Sequence, residues 1–191
     1  MRRLILEEWM SLDGYVADKH GGLGFFTQLT PEQKTFSDND QLKLLETVDT
    51  ILLARRTYEL FVEFWPNATI DQQIIANKLN EINKLIVSNS IVKAPWGKWE
   101  EGTVIGGDII GVIKKLKCQQ GKSIVLWGSI SLAQTLMREN LIDEYRIHLC
   151  PVILGSGRKL FPSESHYADL IISEVKRYDT EVFFNYQTKS S

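Results

Sequence analysis

The sequence predicts an α/β fold, a single domain over residues 1–191, with a mixed sheet that is parallel through its middle and antiparallel at its C-terminal edge. Short apolar, partly β-branched runs at 49–54, 84–88 and 124–127 alternate with segments of helical spacing. The last candidate strands, near 170–175 and 181–186, follow one another with no helix between them. The 191 residues are 43% hydrophobic and 24% charged, a balance that suits one domain with a full core.

In chain order, the mainly apolar run 4–9 fits a first strand. The loop Ser11-Leu12-Asp13-Gly14-Tyr15-Val16-Ala17 follows, extended by Gly21, Gly22 and Gly24. Thr30-Pro31-Glu32-Gln33 opens a helix that runs to about Glu46. Thr30 caps it, Pro31 suits the first helical position, and Gln33 completes a capping box. Residues 49–54 read as a buried strand and 55–61 as a short helix stopped before Pro66. A helix at 71–79 places Ile75 and Leu79 four apart, and 84–88 is the next strand. After a loop rich in tryptophan and glycine, Asp108 caps a helix with Ile109, Val112, Ile113 and Leu116 on one face. Gly121 stands where a helix-ending glycine is expected. Strand 124–127 turns through Gly128-Ser129 into a helix carrying Leu132, Ala133, Leu136 and Met137. A long strand spans 145–154, and in the last one Val182, Phe184 and Tyr186 alternate with Glu181, Phe183 and Asn185.

Composition excludes several functions. A net charge of −2 with interspersed signs gives no basic face for nucleic acid and no membrane-binding helix. No run approaches the ~18 apolar residues of a membrane span. Glu7 and Glu8 interrupt the apolar residues after Arg2-Arg3 too early for a signal peptide, so the cytoplasm is the expected compartment. Cys118 and Cys150 form no disulfide or zinc pattern, and His20, His148 and His166 read as surface or sheet residues, so no metal site is expected. Gly121-Lys122-Ser123 is not a P-loop, because Leu116 stands where its first glycine belongs. Gly106-Gly107-Asp108 has no glycine at position 108 and Gly155-Ser156-Gly157 has Leu160 where the third glycine belongs, so neither completes a dinucleotide fingerprint, and no Gly-x-Ser-x-Gly elbow occurs.

Two strand-to-helix turns carry chemistry. In Leu53-Ala54-Arg55-Arg56-Thr57, two arginines sit at a helix start, where their charge opposes the dipole unless an anion lies among them. Guanidinium groups suit phosphate, although pairing with Glu59 or other surface acids would also account for them. In Trp127-Gly128-Ser129-Ile130, Gly128 removes a side chain where a phosphate could approach backbone, and Ser129 can cap the helix or donate to an oxygen. A tight packing turn would also account for that glycine. Together the two turns can flank one crevice at the carboxyl ends of neighbouring parallel strands, where open α/β sheets bind ligands.

These segments, with Lys84-Leu85-Ile86-Val87-Ser88, Leu141-Ile142-Asp143-Glu144 and the run from Pro151-Val152-Ile153-Leu154 through Gly155-Ser156-Gly157-Arg158-Lys159-Leu160-Phe161, occur in an order that resembles the dihydrofolate-reductase-like superfamily. The likeness is strongest to the reductase domain of the bifunctional riboflavin-biosynthesis deaminase-reductase and its stand-alone relatives. It implies a three-layer fold with helices on both faces of the sheet, NADPH as cofactor and a homodimer. It further implies that the 11–17 loop, with Val16 and Ala17, lies over the nicotinamide. By the same resemblance Arg55, Arg56 and Thr57 meet the adenosine phosphates, Ser88 and Asn89 lie near the 2′-phosphate, and Gly128, Ser129 and Ile130 lie on the pyrophosphate. Ala54 and Trp127 depart from the family, which usually has glycine at both positions; Trp127 either displaces the pyrophosphate or packs beneath it. The deaminase zinc signature is absent.

The expected reaction is hydride transfer from NADPH to a small pyrimidine- or pteridine-like heterocycle. Asp13, the one carboxylate in the 11–17 loop, is the candidate for substrate contact or proton delivery, or else it simply forms a turn. Arg158 and Lys159 could hold an anionic group, and Trp65, Trp96 and Trp99 could wall a pocket or fill the core. The alternative reading is a non-catalytic nucleotide-binding protein that keeps the fold without turnover.

Overall fold

A computed structural model describes residues 1–27, 31–163, 168–178 and 181–189, with backbone alone for 26–27 and 31–37. The Thr30 cap, the Gln33 side chain of its capping box and His166 lie outside the described groups. The elements are β1 Leu4–Ser11, β2 Tyr15–Ala17, α1 Gly24–Thr27, α2 Pro31–Glu46, β3 Val48–Ala54, α3 Arg55–Phe64, α4 Ala76–Glu81, β4 Asn83–Val87, β5 Ala94–Trp96, β6 Trp99–Ile105, α5 Ile109–Cys118, β7 Ser123–Trp127, α6 Ile130–Arg138, β8 Glu144–Cys150, β9 Arg158–Lys159, β10 Leu170–Arg177 and β11 Val182–Thr188. They divide between two units, one of Met1–Leu4 and Ser37–Ser129, the other of Ile5–Phe36 and Ile130–Ser191.

In the first unit the strands lie in the order β7-β3-β4-β6-β5, with β7, β3, β4 and β6 parallel and β5 antiparallel to β6. Leu52, Leu53, Ile86, Val125 and Leu126 are fully buried, as continuous apolar runs in parallel strands require. In the second unit the order is β10-β11-β8-β1, where β1 and β8 are parallel and β11 and β10 antiparallel. A separate ribbon pairs β2 with β9. The parallel strands with an antiparallel C-terminal edge are those the sequence predicts.

Asp108 caps α5 as expected, accepting a hydrogen bond from Gly111 N at 2.9 Å. Five details differ. The helix expected at 71–79 starts at Ala76, because Gln72 and Gln73 both turn their N–H groups onto Thr69 O. The tryptophan- and glycine-rich loop holds the β5–β6 hairpin, closed by Gly97-Lys98 with Gly97 at φ +60°. The long strand at 145–154 ends at Cys150, since Pro151 has no N–H for the ladder. In β11 the buried side is that of Phe183, which is fully buried, whereas Val182, Phe184 and Tyr186 are half-buried. Helix α3 also runs past its expected end to Phe64, and Pro66 sits in the 3-10 turn Trp65–Asn67 that follows it.

Candidate nucleotide-binding site

Register brings three groups of predicted residues to one edge of the first unit. Leu52 pairs with Leu126 and Ala54 with Val87, so β7, β3 and β4 end side by side. Beyond those ends stand Gly128-Ser129, Arg55-Arg56-Thr57 and Ser88-Asn89 respectively. Helix α3 begins directly at Arg55 with no loop, and Ala54 supplies no side-chain cap. The first N–H groups of the helix therefore have no side-chain acceptor, which makes the helix start a donor for an anion.

Gly128 is where the two turns meet. A Cβ there would lie 2.9 Å from both Cγ2 and Oγ1 of Thr57, on the first turn of α3. Gly128 has φ +61° and Ser129 φ +62°, two successive left-handed residues. For Ser129 that conformation costs about 1–2 kcal/mol. Gly128 thus has two separate reasons to be glycine, close approach and backbone conformation. The side chain of Trp127 is buried, with its ring 6.2 Å from that of Phe61. The bulky residue packs into the unit's core and leaves the turn uncovered by its ring.

The other members of this edge are partly engaged. Arg55 Nη1 meets Glu59 Oε1 at 2.6 Å, an exposed i,i+4 pair, and Arg56 is exposed. Ser88 Oγ accepts from Ser90 N at 3.1 Å and Ile91 N at 3.3 Å. Asn89 Oδ1 accepts from Gly107 N at 3.0 Å. Ser88 and Asn89 therefore shape two loops at the strand ends. Ile130 opens α6 immediately after Ser129.

The 11–17 loop belongs to the second unit and is fastened to the 152–160 segment. Asp13 accepts from Ser11 Oγ at 2.7 Å, Leu154 N at 3.1 Å and Gly155 N at 2.8 Å. Desolvation works to raise the Asp13 pKa, but the bonds from Ser11, Gly155 and Leu154 outweigh it and hold the carboxyl below the ordinary aspartate value. Leu12 N donates to Val152 O at 2.9 Å and Leu160 N to Gly14 O at 3.1 Å. Val16 and Ala17 are buried, and Gly157 packs so closely on Ala17 O that no Cβ fits. Tyr15 pairs with Lys159, whose Nζ lies 5.7 Å from the tyrosine ring centroid, and Arg158 is exposed. Trp96 is fully buried in the first unit, where its Nε1 donates to Asn80 Oδ1 at 2.7 Å. Trp65 and Trp99 are half-buried.

A cluster in the second unit escaped sequence reasoning. His148, fully buried, bonds Glu181 Oε1 through Nδ1 at 2.7 Å and faces Glu7 Oε1 through Nε2 at 3.4 Å. Arg146 Nε reaches the same Glu7 oxygen at 3.2 Å, and Trp9 stacks on the imidazole at 4.4 Å. Burial works against a charged His148, yet the bonds to Glu181 and Glu7 carry its pKa above the ordinary value. The only signal in the chain was the alternation of Glu7 with Trp9 and of Arg146 with His148, which places each pair on one face of its strand. Among the described residues no group of histidine, cysteine, aspartate and glutamate could hold a metal ion. No described helix is long and apolar enough to cross a membrane.

The family model of the RibD C-terminal domain matches residues 2–184. The uncharacterized protein YyaP of Bacillus subtilis (strain 168) is 31% identical over 187 residues, covering 95% of this chain and 92% of its own length. A candidate riboflavin biosynthesis protein from Shewanella sp. PV-4 superposes with a TM-score of 0.78 at 23% identity, over 98% of this chain and 99% of its own. Dihydrofolate reductase from Enterococcus faecalis, solved with NADP(H), superposes with a TM-score of 0.57 at 11% identity, over 98% of this chain and 97% of its own. The fold is therefore dihydrofolate-reductase-like, and the chain belongs to the RibD C-terminal domain family.

Proposed function

We propose that this protein is an NADPH-dependent reductase that delivers hydride to a small pyrimidine- or pteridine-like heterocycle. Membership of a family of riboflavin-type reductases supports an oxidoreductase. The observation that carries the nucleotide reading is the junction of Gly128 with Thr57 at the start of the uncapped helix α3. The absence of a side chain at Gly128 lets the turn after β7 lie against Thr57, which brings the turn's backbone beside the start of α3, where one anion can meet both. The residues present fit a dinucleotide.

In this reading Gly128, Ser129 and Ile130 lie along the pyrophosphate through backbone, and Arg55, Arg56 and Thr57 take the adenosine phosphates. Ser88 and Asn89 fix the loops beside the 2′-phosphate, with Arg55 and Arg56 supplying charge. Bound NADPH supplies the hydride; the chain's task is to orient it and exclude water. The 11–17 loop, with Val16 and Ala17, covers the nicotinamide through backbone. Asp13 holds that loop in shape. With both carboxylate oxygens accepting from Ser11, Leu154 and Gly155, Asp13 is committed to the loop, and the proton for the reduced heterocycle comes from water or from the substrate. The same commitment of Asp13 to Leu154 and Gly155 favours, as a second reading, a protein that binds the nucleotide without turnover.

Titrating the protein into NADPH and into NADH while following nicotinamide fluorescence tests the proposal. NADPH should bind more tightly, and replacing Arg55 and Arg56 by alanine should remove the preference. Failure of both nucleotides to bind overturns the reading; a preference that survives the double substitution overturns the role of the arginines. Oxidation of NADPH across a panel of pteridines and aminopyrimidines then separates a reductase from a binding protein.

A further inference from the structure

The first unit has a cleft that the nucleotide reading leaves unused, at the end of the sheet opposite the Ser88 edge. The ten residues of α3 carry the chain about 15 Å from the nucleotide edge to Trp65 and Pro66. Strand β6 begins here at Trp99 and ends beside Ser88, whose N–H donates to Ile105 O at 2.9 Å. The tip of the β5–β6 hairpin and the 66–71 segment bound a cleft of about 590 Å³, within the roughly 300–1,000 Å³ of small-molecule sites. Its walls are fixed from behind. A Cβ at Gly97 would lie 2.7 Å from Pro66 Cβ, and Trp99 Nε1 donates to Pro66 O at 3.1 Å. Asn80 ties the two sides again, donating to Trp65 O and accepting from Trp96 Nε1, both at 2.7 Å. The turn 69–72 is closed by Gln72 N on Thr69 O at 3.1 Å and by Thr69 N on Gln72 Oε1 at 3.0 Å, which sets Ile70 and Asp71 at its corner.

The lining selects the ligand. Ile70 is 52% exposed, a large aliphatic side chain whose burial favours an apolar occupant, and the half-buried Trp99 ring adds a second apolar surface. The lining carries one charge of each sign, Lys98 and Asp71. Lys98 Nζ lies 5.4 Å from the Trp99 ring centroid, which holds its charge at the cleft. Among the described residues the side chains of Lys98 and Asp71 form no ion pair, with each other or with a third group. Asn67 and Asn77 each bring an amide donor and acceptor to the same lining. A lone cation suits any anion, and a lone carboxylate any cation. Opposite charges kept apart beside apolar surface suit one molecule that carries both. We infer that this cleft binds a small zwitterion, an α-amino acid with an apolar side chain. Its carboxylate meets Lys98, its ammonium meets Asp71, and its side chain covers Ile70 and Trp99. The fixed walls reduce the ordering cost of binding. This site lies beyond the nucleotide reading and stands whether or not that reading does.

Calorimetric titration of the full chain with L-phenylalanine tests the assignment, beside hydrocinnamate, which lacks the ammonium, and phenethylamine, which lacks the carboxylate. Phenylalanine should bind at least about tenfold more tightly than either. Lys98→Ala should lower its affinity to that of phenethylamine and leave phenethylamine unaffected. Asp71→Asn should lower it to that of hydrocinnamate and leave hydrocinnamate unaffected. Circular dichroism melting controls for folding; should a variant fail to fold, the three ligands on the wild type decide alone. Absence of phenylalanine binding, equal binding of the three, or a variant that weakens the analogue lacking the matching group as much as phenylalanine overturns the assignment. NADPH titration of the same proteins is a separate readout, so failure of this cleft and failure of the nucleotide site are told apart.

Discussion

The strand ends of β3, β4 and β7 and the polar face of β1, β8 and β11 hold charge in opposite ways. At the strand ends Arg55 and Glu59 have side chains 41 and 47% exposed, and the start of α3 has no side-chain cap. On the sheet face Glu7, Arg146, His148 and Glu181 are all buried. With His148 protonated, these four carry two positive and two negative groups, and Glu144, buried on the same face of β8, accepts from Asn185 Nδ2 at 3.0 Å. The first region can therefore offer donors to a ligand without first breaking a buried contact. The second has its charges committed to one another, and it works as a folding device. Charge density alone does not locate a binding site; what matters is whether the charges are already spent on each other.

This contrast makes predictions that fall in size from the buried face to the exposed one. His148→Phe leaves Glu7 and Glu181 buried against one arginine and should cost about 3–5 kcal/mol of stability, read as a shifted urea midpoint. A loss under 1 kcal/mol would mean that the face is wetter than its burial suggests.

His148 and Lys84 should contribute pH dependences of opposite sign. His148 has a pKa raised in the folded state, so its stabilisation is complete below the unfolded value and fades as pH rises through the folded one. Lys84, buried over the Trp96 ring and bonded to Asn80 O, is lowered to about 8, mainly by desolvation. In the unfolded chain it binds its proton more tightly, so its share of stability rises between pH 8 and 10.5, by roughly 2–3 kcal/mol. Lys84→Met should flatten that rise, and His148→Gln should flatten the fall; urea midpoints measured against pH would detect either slope persisting.

Gly128→Ala should cost about 1–2 kcal/mol through its left-handed backbone and its crowding on Thr57, and should weaken NADPH at least tenfold. Stability lost with nucleotide affinity intact would make Gly128 a packing residue only. Arg55→Ala, at the exposed end of the comparison, should change stability by under about 0.5 kcal/mol, since an exposed i,i+4 pair contributes little. Any effect on NADPH affinity is then separable from folding.

The sequence made these regions unequally legible. Gly128, Ser129, Arg55 and Thr57 could be read because strand-to-helix turns are local, and their residue types carry local chemistry. The adjacency of Gly128 to Thr57, 71 positions apart, needed only the assumption of parallel neighbouring strands. The His148 cluster could not be read, because its partners are joined by strand register across Glu7, Arg146 and Glu181. The hairpin at Trp96-Gly97-Lys98-Trp99 was hidden by composition, as Pro95 and a three-residue β5 resemble loop. Helix 71–79 failed for a local reason, since Thr69 captures the N–H groups that would have opened it.

The burial of Trp127 directly before Gly128 has an optical consequence. An indole held against Phe61 at the foot of the turn is a built-in fluorophore, one residue from the backbone proposed to meet pyrophosphate. With Trp9, Trp65, Trp96 and Trp99 replaced by phenylalanine, emission from this one ring would report occupancy of the turn without any attached dye. A bulky residue beside the turn thus serves as a native spectroscopic label.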